Sequence, residues 1–322
     1  MKIITFVKNW TLPIAMLSGV LIYLAFANLQ FLQPTKPTVH AIDRVLTPML
    51  IFVQLLLTFC KVSPREFRFR TWHFILLAIQ LVGSVAVYLL LSPIDAILAQ
   101  GAMVCFICPT ATAAAVITSK LGGSAETLIT YTMLVNILCA IFVPLVFPLI
   151  YSSNNNGFFC SFMLILSKVF PLLICPFLLA QILRYTFSVA HTWLREHASM
   201  AFYIWAVALS LVMGKTAKAI VDDSDNISLV FWLATISLII CSLQFFIGKN
   251  IGGHYGDRIS GGQAIGQKNT VLAIWMAYTY LNPISSVAPG AYVLWQNIIN
   301  SWQLWKKRKN DKLQQQLTAN SQ

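Results

Sequence analysis

Charge is scarce in this chain. Asp, Glu, Lys and Arg make up 10% of its 322 residues, where a soluble domain carries about a quarter. Acid is scarcer still, with ten Asp and Glu against 22 Lys and Arg. The ten (Asp43, Glu66, Asp95, Glu126, Glu196, Asp222, Asp223, Asp225, Asp257 and Asp311) fall in expected connectors, helix ends or the tail. No carboxylate pair is therefore expected near a membrane midplane, which argues against hydrolytic acid–base catalysis and against a carboxylate-based proton carrier. His40, His73, His191, His197 and His254 lie near expected span ends without metal-ligand spacing, so no metal site and no cofactor are implied. The seven cysteines lie in or beside apolar segments and read as small packing side chains. Cys105 and Cys108 form a lone Cys-x-x-Cys, a weak redox signal inside an apolar helix. No soluble domain or long linker is visible. The low-complexity stretch from Asn310 to Gln322 is polar and expected to fray.

Hydrophobic side chains, by contrast, supply 58% of the chain, and its mean hydropathy is +0.74. That combination predicts an all-α polytopic membrane protein. Apolar stretches long enough to span fall at roughly 11–32, 45–62, 72–92, 96–119, 126–151, 158–184, 198–217, 227–248, 258–281 and 284–305. The first could be a signal peptide ending at Ala25-Phe26-Ala27. Its removal would leave nine spans and spoil the pattern below, so it is read as a span.

Two of the ten expected spans are interrupted. The fourth runs to Cys108 and breaks at Pro109-Thr110-Ala111-Thr112-Ala113. The ninth carries Gly261, Gly262 and Gly266, and is expected to unwind before it resumes at Thr270. Broken helices at membrane depth survive where freed backbone groups are buried in protein or line a cavity. A matched pair of breaks in two halves points to a transporter's binding site. Five spans per half is odd, so residues 153–305 are expected to invert the topology of residues 1–152, with 306–322 as a cytoplasmic tail.

Basic residues support an even span count. With both termini inside, most Lys and Arg, including Lys61, Arg68, Arg184, Lys249 and the run Lys306 to Lys309, fall on the cytoplasmic side. Lys36, Arg44, Lys215 and Lys218 fall outside, and Lys168 and Lys268 fall within spans. The net charge of +12 thus reflects topology and contact with a lipid bilayer, not nucleic acid.

Lys268, just past the second break, is the candidate fixed charge of a binding site. A cation at a helix centre costs about 2.5–3.5 kcal/mol and needs a partner or a wet cavity. With no carboxylate expected nearby, such a site favours an anion. Thr110, Thr112, Gln263, Gln267 and Asn269 surround the breaks as candidate ligand or backbone partners. Gln80, Thr132 and Asn136 are polar residues in apolar helices, explained equally by interhelical hydrogen bonding. Lys168, ten residues into the sixth span, either snorkels or lines the site.

Cys108-Pro-Thr-Ala-Thr-Ala-Ala-Ala-Val-Ile-Thr118 and Gly266-Gln-Lys-Asn-Thr270 resemble the crossing-helix motifs of the bile acid/sodium symporter (SBF-like) family. The chain looks like a divergent bacterial member of it. The resemblance implies a panel domain of spans 1, 2, 6 and 7. It also implies a core domain of spans 3–5 and 8–10, with helices 4 and 9 crossing. It further implies transport of an organic anion such as a bile acid, keto acid or vitamin precursor, commonly with sodium. Carried over residue by residue, the sodium ligands land on Ala114, Ala115, Leu128, Ala264 and Lys268, while Gln80, Thr132 and Asn269 fit the pattern. Sodium is therefore a poor fit, and an ammonium at a ligand position would repel it by about 4 kcal/mol at 4 Å. The expectation is a secondary transporter of a small organic anion in a bacterial inner membrane, with Lys268 replacing sodium as a fixed charge. Cycling of its proton would make H+ the coupling ion. The alternatives are a sodium symporter with rearranged ligands, drawing on Thr112 and Thr132, and a sensor of the same fold that does not transport.

Overall fold

The computed structural model describes residues 11–63, 65, 67–150, 157–222 and 227–320. Glu66, Asp223 and Asp225 lie outside them. The described elements are all helical: α1 (Thr11–Asn28), α2 (Lys36–Phe59), α3 (Thr71–Leu91), α4 (Ala96–Ile107), α5 (Ala114–Leu121), α6 (Ala125–Ile150), α7 (Phe158–Thr186), α8 (Ser188–Glu196), α9 (Met200–Asp222), α10 (Ile227–His254), α11 (Arg258–Gly266), α12 (Thr270–Tyr280) and α13 (Val287–Asn320). Short 3-10 turns precede α2 and α13. In lipid every backbone amide needs an internal partner, and a helix supplies one from within its own segment.

Seven of the described helices are long and apolar enough to cross a membrane: α1, α2 with the turn before it, α3, α6, α7, α9 and α10. The fourth expected span is built as α4 and α5, the ninth as α11 and α12, and the tenth as the first part of α13. The long helices turn large apolar side chains outward, with Val82 64%, Leu90 72%, Leu149 72% and Phe231 65% exposed. Water would penalise that surface, whereas acyl chains solvate it.

Local chemistry sets the element ends. Asp95 caps α4 by accepting from the Leu98 amide at 2.7 Å, and Asn269 does the same for α12 through Leu272. Gly122, at φ 90°, ends α5 in the left-handed conformation that disfavours a β-carbon.

Two sequence expectations change. The polar tail is helical as far as Asn320, where α13 ends, because Lys, Gln and Leu propagate a helix well. An i,i+4 pair, Lys307–Asp311, adds to it. The ninth span also does not unwind at Gly261 and Gly262, which lie inside α11. Those glycines serve packing instead. A β-carbon on Gly261 would sit 2.4 Å from the Gly248 carbonyl oxygen, and one on Gly248 would sit 2.2 Å from that of Gly261. Bare backbones let α10 and α11 touch, as small residues do between membrane helices. Unwinding is confined to Gln267–Asn269.

Helices α1 and α2 pack on α9, and α2 also packs on α7. Elsewhere α4 lies between α3 and α10, and α10 packs on α11 and α13. Helix α11 also touches α5 and α6. The short helix α8, which hydropathy does not reveal, exposes Val189 and Trp193 while burying His191.

Candidate functional site

The two breaks meet. Thr110 and Lys268 face each other as a single antiparallel bridge. The Ala111 amide donates to the Gln267 carbonyl at 2.9 Å, and the Asn269 amide to the Pro109 carbonyl at 2.8 Å. Backbone groups freed by one break are thus satisfied by the other, as a buried unwound segment requires.

Side chains repeat this exchange. The Thr110 hydroxyl donates to the Ala264 carbonyl at 2.5 Å, in the last turn of α11. The Lys268 ammonium donates to the Phe106 carbonyl at 2.9 Å, in the last turn of α4. Each break therefore caps the carbonyl end of the opposite short helix. Such an end carries about half a negative charge, so an ammonium there is favourably placed. Lys268 is 1% exposed and has no carboxylate partner among the described residues. Its amide donates to Gln296 Oε1 at 2.8 Å. Around it, Cys105, Cys108, Cys139 and Cys241 are free thiols. Cys108 donates to the Asn269 carbonyl and Cys139 to the Ile107 carbonyl, so both are accounted for as packing and weak donors.

Two glutamine–tyrosine braces hold the crossing. Gln80 Nε2 donates to the carbonyls of Ile107 and Cys108 at 2.7 and 2.9 Å, and its Oε1 accepts from the Tyr131 hydroxyl at 2.8 Å. Gln244 Nε2 donates to the Phe106 carbonyl at 3.1 Å. The Tyr292 hydroxyl lies 2.8 Å from both Gln244 Oε1 and the Gly266 carbonyl. Five residues after each tyrosine stands an asparagine, Asn136 or Asn297, whose side chain donates to the carbonyl four residues back.

The structure brings Thr110, Gln267, Lys268, Asn269 and Gln80 together at the crossing. Gln263 lies one turn below and donates to Asn300 on α13. Thr112 accepts from Gln54 of α2 at 3.0 Å, which ties the first break to a neighbouring long helix. Thr132 bonds to Leu128 within α6, and Asn136 to Thr132, so neither makes the interhelical bond their sequence context suggests. Sequence reasoning passed over Tyr131, Tyr292, Gln244 and Gln296. Both tyrosines stand in Tyr-x-x-x-x-Asn, but the same spacing also occurs at Tyr23–Asn28 and Tyr151–Asn156, so the sequence does not single them out.

A cavity of about 1160 Å³ opens between α1, α2, α7 and α9 on one side and the end of α12 on the other. Its walls are largely apolar and aromatic, with Tyr23, Phe52, Trp275 and Tyr278 among them. The charged groups on it are Lys36, Asp43, Arg44, Lys168, Lys215, Lys218 and Asp222, with His40 beside them. Asp43 pairs with Lys215 at 2.8 Å, and Asp222 pairs with Lys218. Lys36, Arg44 and Lys168 remain without an ion-pair partner among the described residues. Lys36, Arg44, Lys215 and Lys218, the four basic residues that the charge pattern of the sequence leads one to expect opposite the basic majority, all line this space. Lys168 lines it too, from α7.

At the positions that the sequence resemblance assigns to sodium ligands, Ala114, Leu128 and Ala264 are buried alkyl groups without a side-chain oxygen. Ala115 likewise offers none, and Lys268 brings a positive charge. Among the described residues no cluster of His, Cys, Asp and Glu could hold a metal ion.

No curated protein matches the chain. Residues 61–299 match the model of the SBF-like CPA transporter family. The matched stretch runs from the end of α2 into α13 and contains both breaks, both braces and Lys268. This chain, an integral membrane protein of helices broken and crossed at a buried lysine, belongs to the SBF-like CPA transporter family.

Proposed function

We propose that the protein is a secondary transporter of an organic anion that works by alternating access, with the Lys268 ammonium in place of a bound sodium. The observation that carries the anion assignment is the cavity, whose carboxylates are paired while Lys36, Arg44 and Lys168 are not. An anionic headgroup entering it exchanges water for cations already in place, and the aromatic walls take the apolar remainder of the substrate.

The crossing supports the coupling half of the proposal. The carbonyl end of α4 receives a covalently attached cation, so the core needs no sodium there. The carbonyl end of α11 receives only the neutral Thr110 hydroxyl. The paired braces Gln80–Tyr131 and Gln244–Tyr292 support an inverted repeat, because each half sets the same residue types, from corresponding helices, against the crossing. In this reading α1, α2, α7 and α9 form the panel, and the crossing moves against it as one body. The Gln54–Thr112 bond, which joins the two, breaks in each cycle. Both chain ends face the cytoplasm of a bacterial inner membrane, and the cavity opens to the other side.

The test is thermal stability and uptake of purified protein with keto acids, bile-acid-like carboxylates and vitamin-precursor carboxylates, in sodium chloride and in choline chloride. Stabilisation by one anion class, equal in both salts, is expected. A strict sodium requirement would refute the built-in charge, and indifference to every anion would refute the anion assignment. Lys168→Gln should weaken the anion's effect about five- to tenfold, from about 1 kcal/mol of Coulomb energy in a wet cavity.

A further inference from the structure

Where α13 runs past the end of α10, cations collect that ion pairing does not explain. Lys249 comes from the last turns of α10, Arg258 opens α11, and Lys306 lies on α13. Arg258 and Lys306 both stand close enough to the Lys249 ammonium to repel it. None of the three has a carboxylate partner among the described residues. Nearby acids are engaged elsewhere: Asp257 accepts from Thr127 at 2.8 Å, and Asp311 pairs with Lys307 at 3.3 Å. Like charges held at one place by three separate elements repel each other, and an anion between them reverses that penalty.

Packing, not chance, puts two of these side chains in place. A β-carbon on Gly262 would lie 2.6 Å from Lys249 Cγ, so the lysine stem rests on bare backbone of α11. A β-carbon on Gly253 would lie 3.6 Å from Arg258 Cβ and Cγ, ordinary contact that keeps the arginine beside α10. Lys306 is placed by its own helix, its ammonium 5.4 Å from the centre of the Trp302 ring. Lys309 repeats the arrangement with Trp305 at 5.5 Å. Tryptophan next to lysine at the end of an apolar helix is the pattern of a membrane–water interface.

Apolar stripes lead to the cluster. On α10, Ile239, Leu243 and Phe246 are exposed at i, i+4 and i+7, one turn before Lys249. On α13, Leu294, Ile298 and Trp302 are exposed at i, i+4 and i+8, one turn before Lys306. The two helices pack on each other. A free phosphate would use the cations alone, whereas an amphiphile would use both the cations and the stripes.

We propose that Lys249, Arg258 and Lys306 form a binding site for the phosphate headgroup of an anionic phospholipid, whose acyl chains lie along the exposed faces of α10 and α13. The site is separate from the crossing and the cavity, and it does not depend on what the protein transports. A bound lipid bridges α10, α11 and α13, and so steadies the helices that carry the second break.

The experiment is thermal unfolding of the full chain in a neutral detergent with added phosphatidylglycerol, phosphatidylcholine or inorganic phosphate. Phosphatidylglycerol should raise the midpoint by several degrees more than phosphatidylcholine. The difference should vanish in the triple variant Lys249→Gln, Arg258→Gln, Lys306→Gln and persist in Lys61→Gln, which removes a cation elsewhere. Should the triple variant not fold, the preference of the unaltered protein should fade as salt rises toward 1 M, because exposed charges are screened. Equal effects of the two lipids, or a preference that ignores salt, would overturn the proposal. An equal effect of inorganic phosphate would overturn the lipid as the ligand and leave a soluble-anion site.

Discussion

Replacing Lys268 by Met tests whether the buried ammonium is there for stability or for transport. The side chain keeps most of its length and loses its charge. Against the protein stands the loss of a charge-assisted hydrogen bond to the Phe106 carbonyl at 2.9 Å, worth about 1.5–3 kcal/mol. The favourable field at the carbonyl end of α4 adds about 0.3–2 kcal/mol. In its favour, the variant no longer holds a cation at membrane depth, a cost of about 2.5–3.5 kcal/mol. The Phe106 carbonyl is not orphaned, because Gln244 still donates to it at 3.1 Å. The opposing contributions cancel to within about 2 kcal/mol. Lys268→Met should therefore unfold within a few degrees of the unaltered protein while anion uptake into proteoliposomes falls to background. Thermal unfolding followed by intrinsic fluorescence reads the first quantity, and uptake of the anion found to stabilise the protein reads the second. A loss of stability well beyond about 3 kcal/mol, or transport unchanged at every pH, would refute the reasoning. The first result would make the ammonium a structural keystone, and the second would make it irrelevant to the cycle.

Other expectations follow from the same geometry. Gly261→Ala places a β-carbon 2.4 Å from the Gly248 carbonyl, so α10 and α11 must part and stability should fall by about 1–3 kcal/mol; an unshifted unfolding midpoint would show that the contact yields. Tyr131→Phe and Tyr292→Phe each remove a buried hydroxyl from a brace and should cost about 1–3 kcal/mol apiece. If only one of them matters, the two halves do not brace the crossing alike. Cys105→Ser with Cys108→Ser should leave uptake intact, since both thiols are free and surround the crossing as small side chains; abolished uptake with preserved folding would reopen a redox role.

The helical class, the bilayer as solvent, the first break and the restart of the second at Thr270 were readable from the chain. Apolar runs near twenty residues admit few other solutions, and Pro109 cannot continue α4 with a backbone hydrogen bond. The glycines of the ninth span misled because glycine serves two purposes. Gly261 and Gly262 look like helix breakers in one dimension, and only the presence of α10 shows that Gly261 lets two backbones touch. The fate of the tail was likewise a matter of continuity, since α13 carries its hydrogen-bond ladder outward from a buried start.

By itself the sequence determined that Lys268 stands just before Thr270 at the second break, and that Ala114, Ala115, Leu128 and Ala264, where the resemblance would put sodium ligands, carry no side-chain oxygen. It could not determine what the basic side chains touch. Lys268 meets Phe106, 162 residues away, while Lys36, Arg44, Lys168, Lys215 and Lys218 converge from different helices on one cavity. Nor could it tell which polar residues in apolar helices reach across. Gln80 does, whereas Thr132 and Asn136 bond back into α6. The reason is physical: hydropathy and charge belong to a residue wherever it lies, but a partner exists only once helices distant in sequence are packed, and in a membrane that packing decides which buried polar group is satisfied.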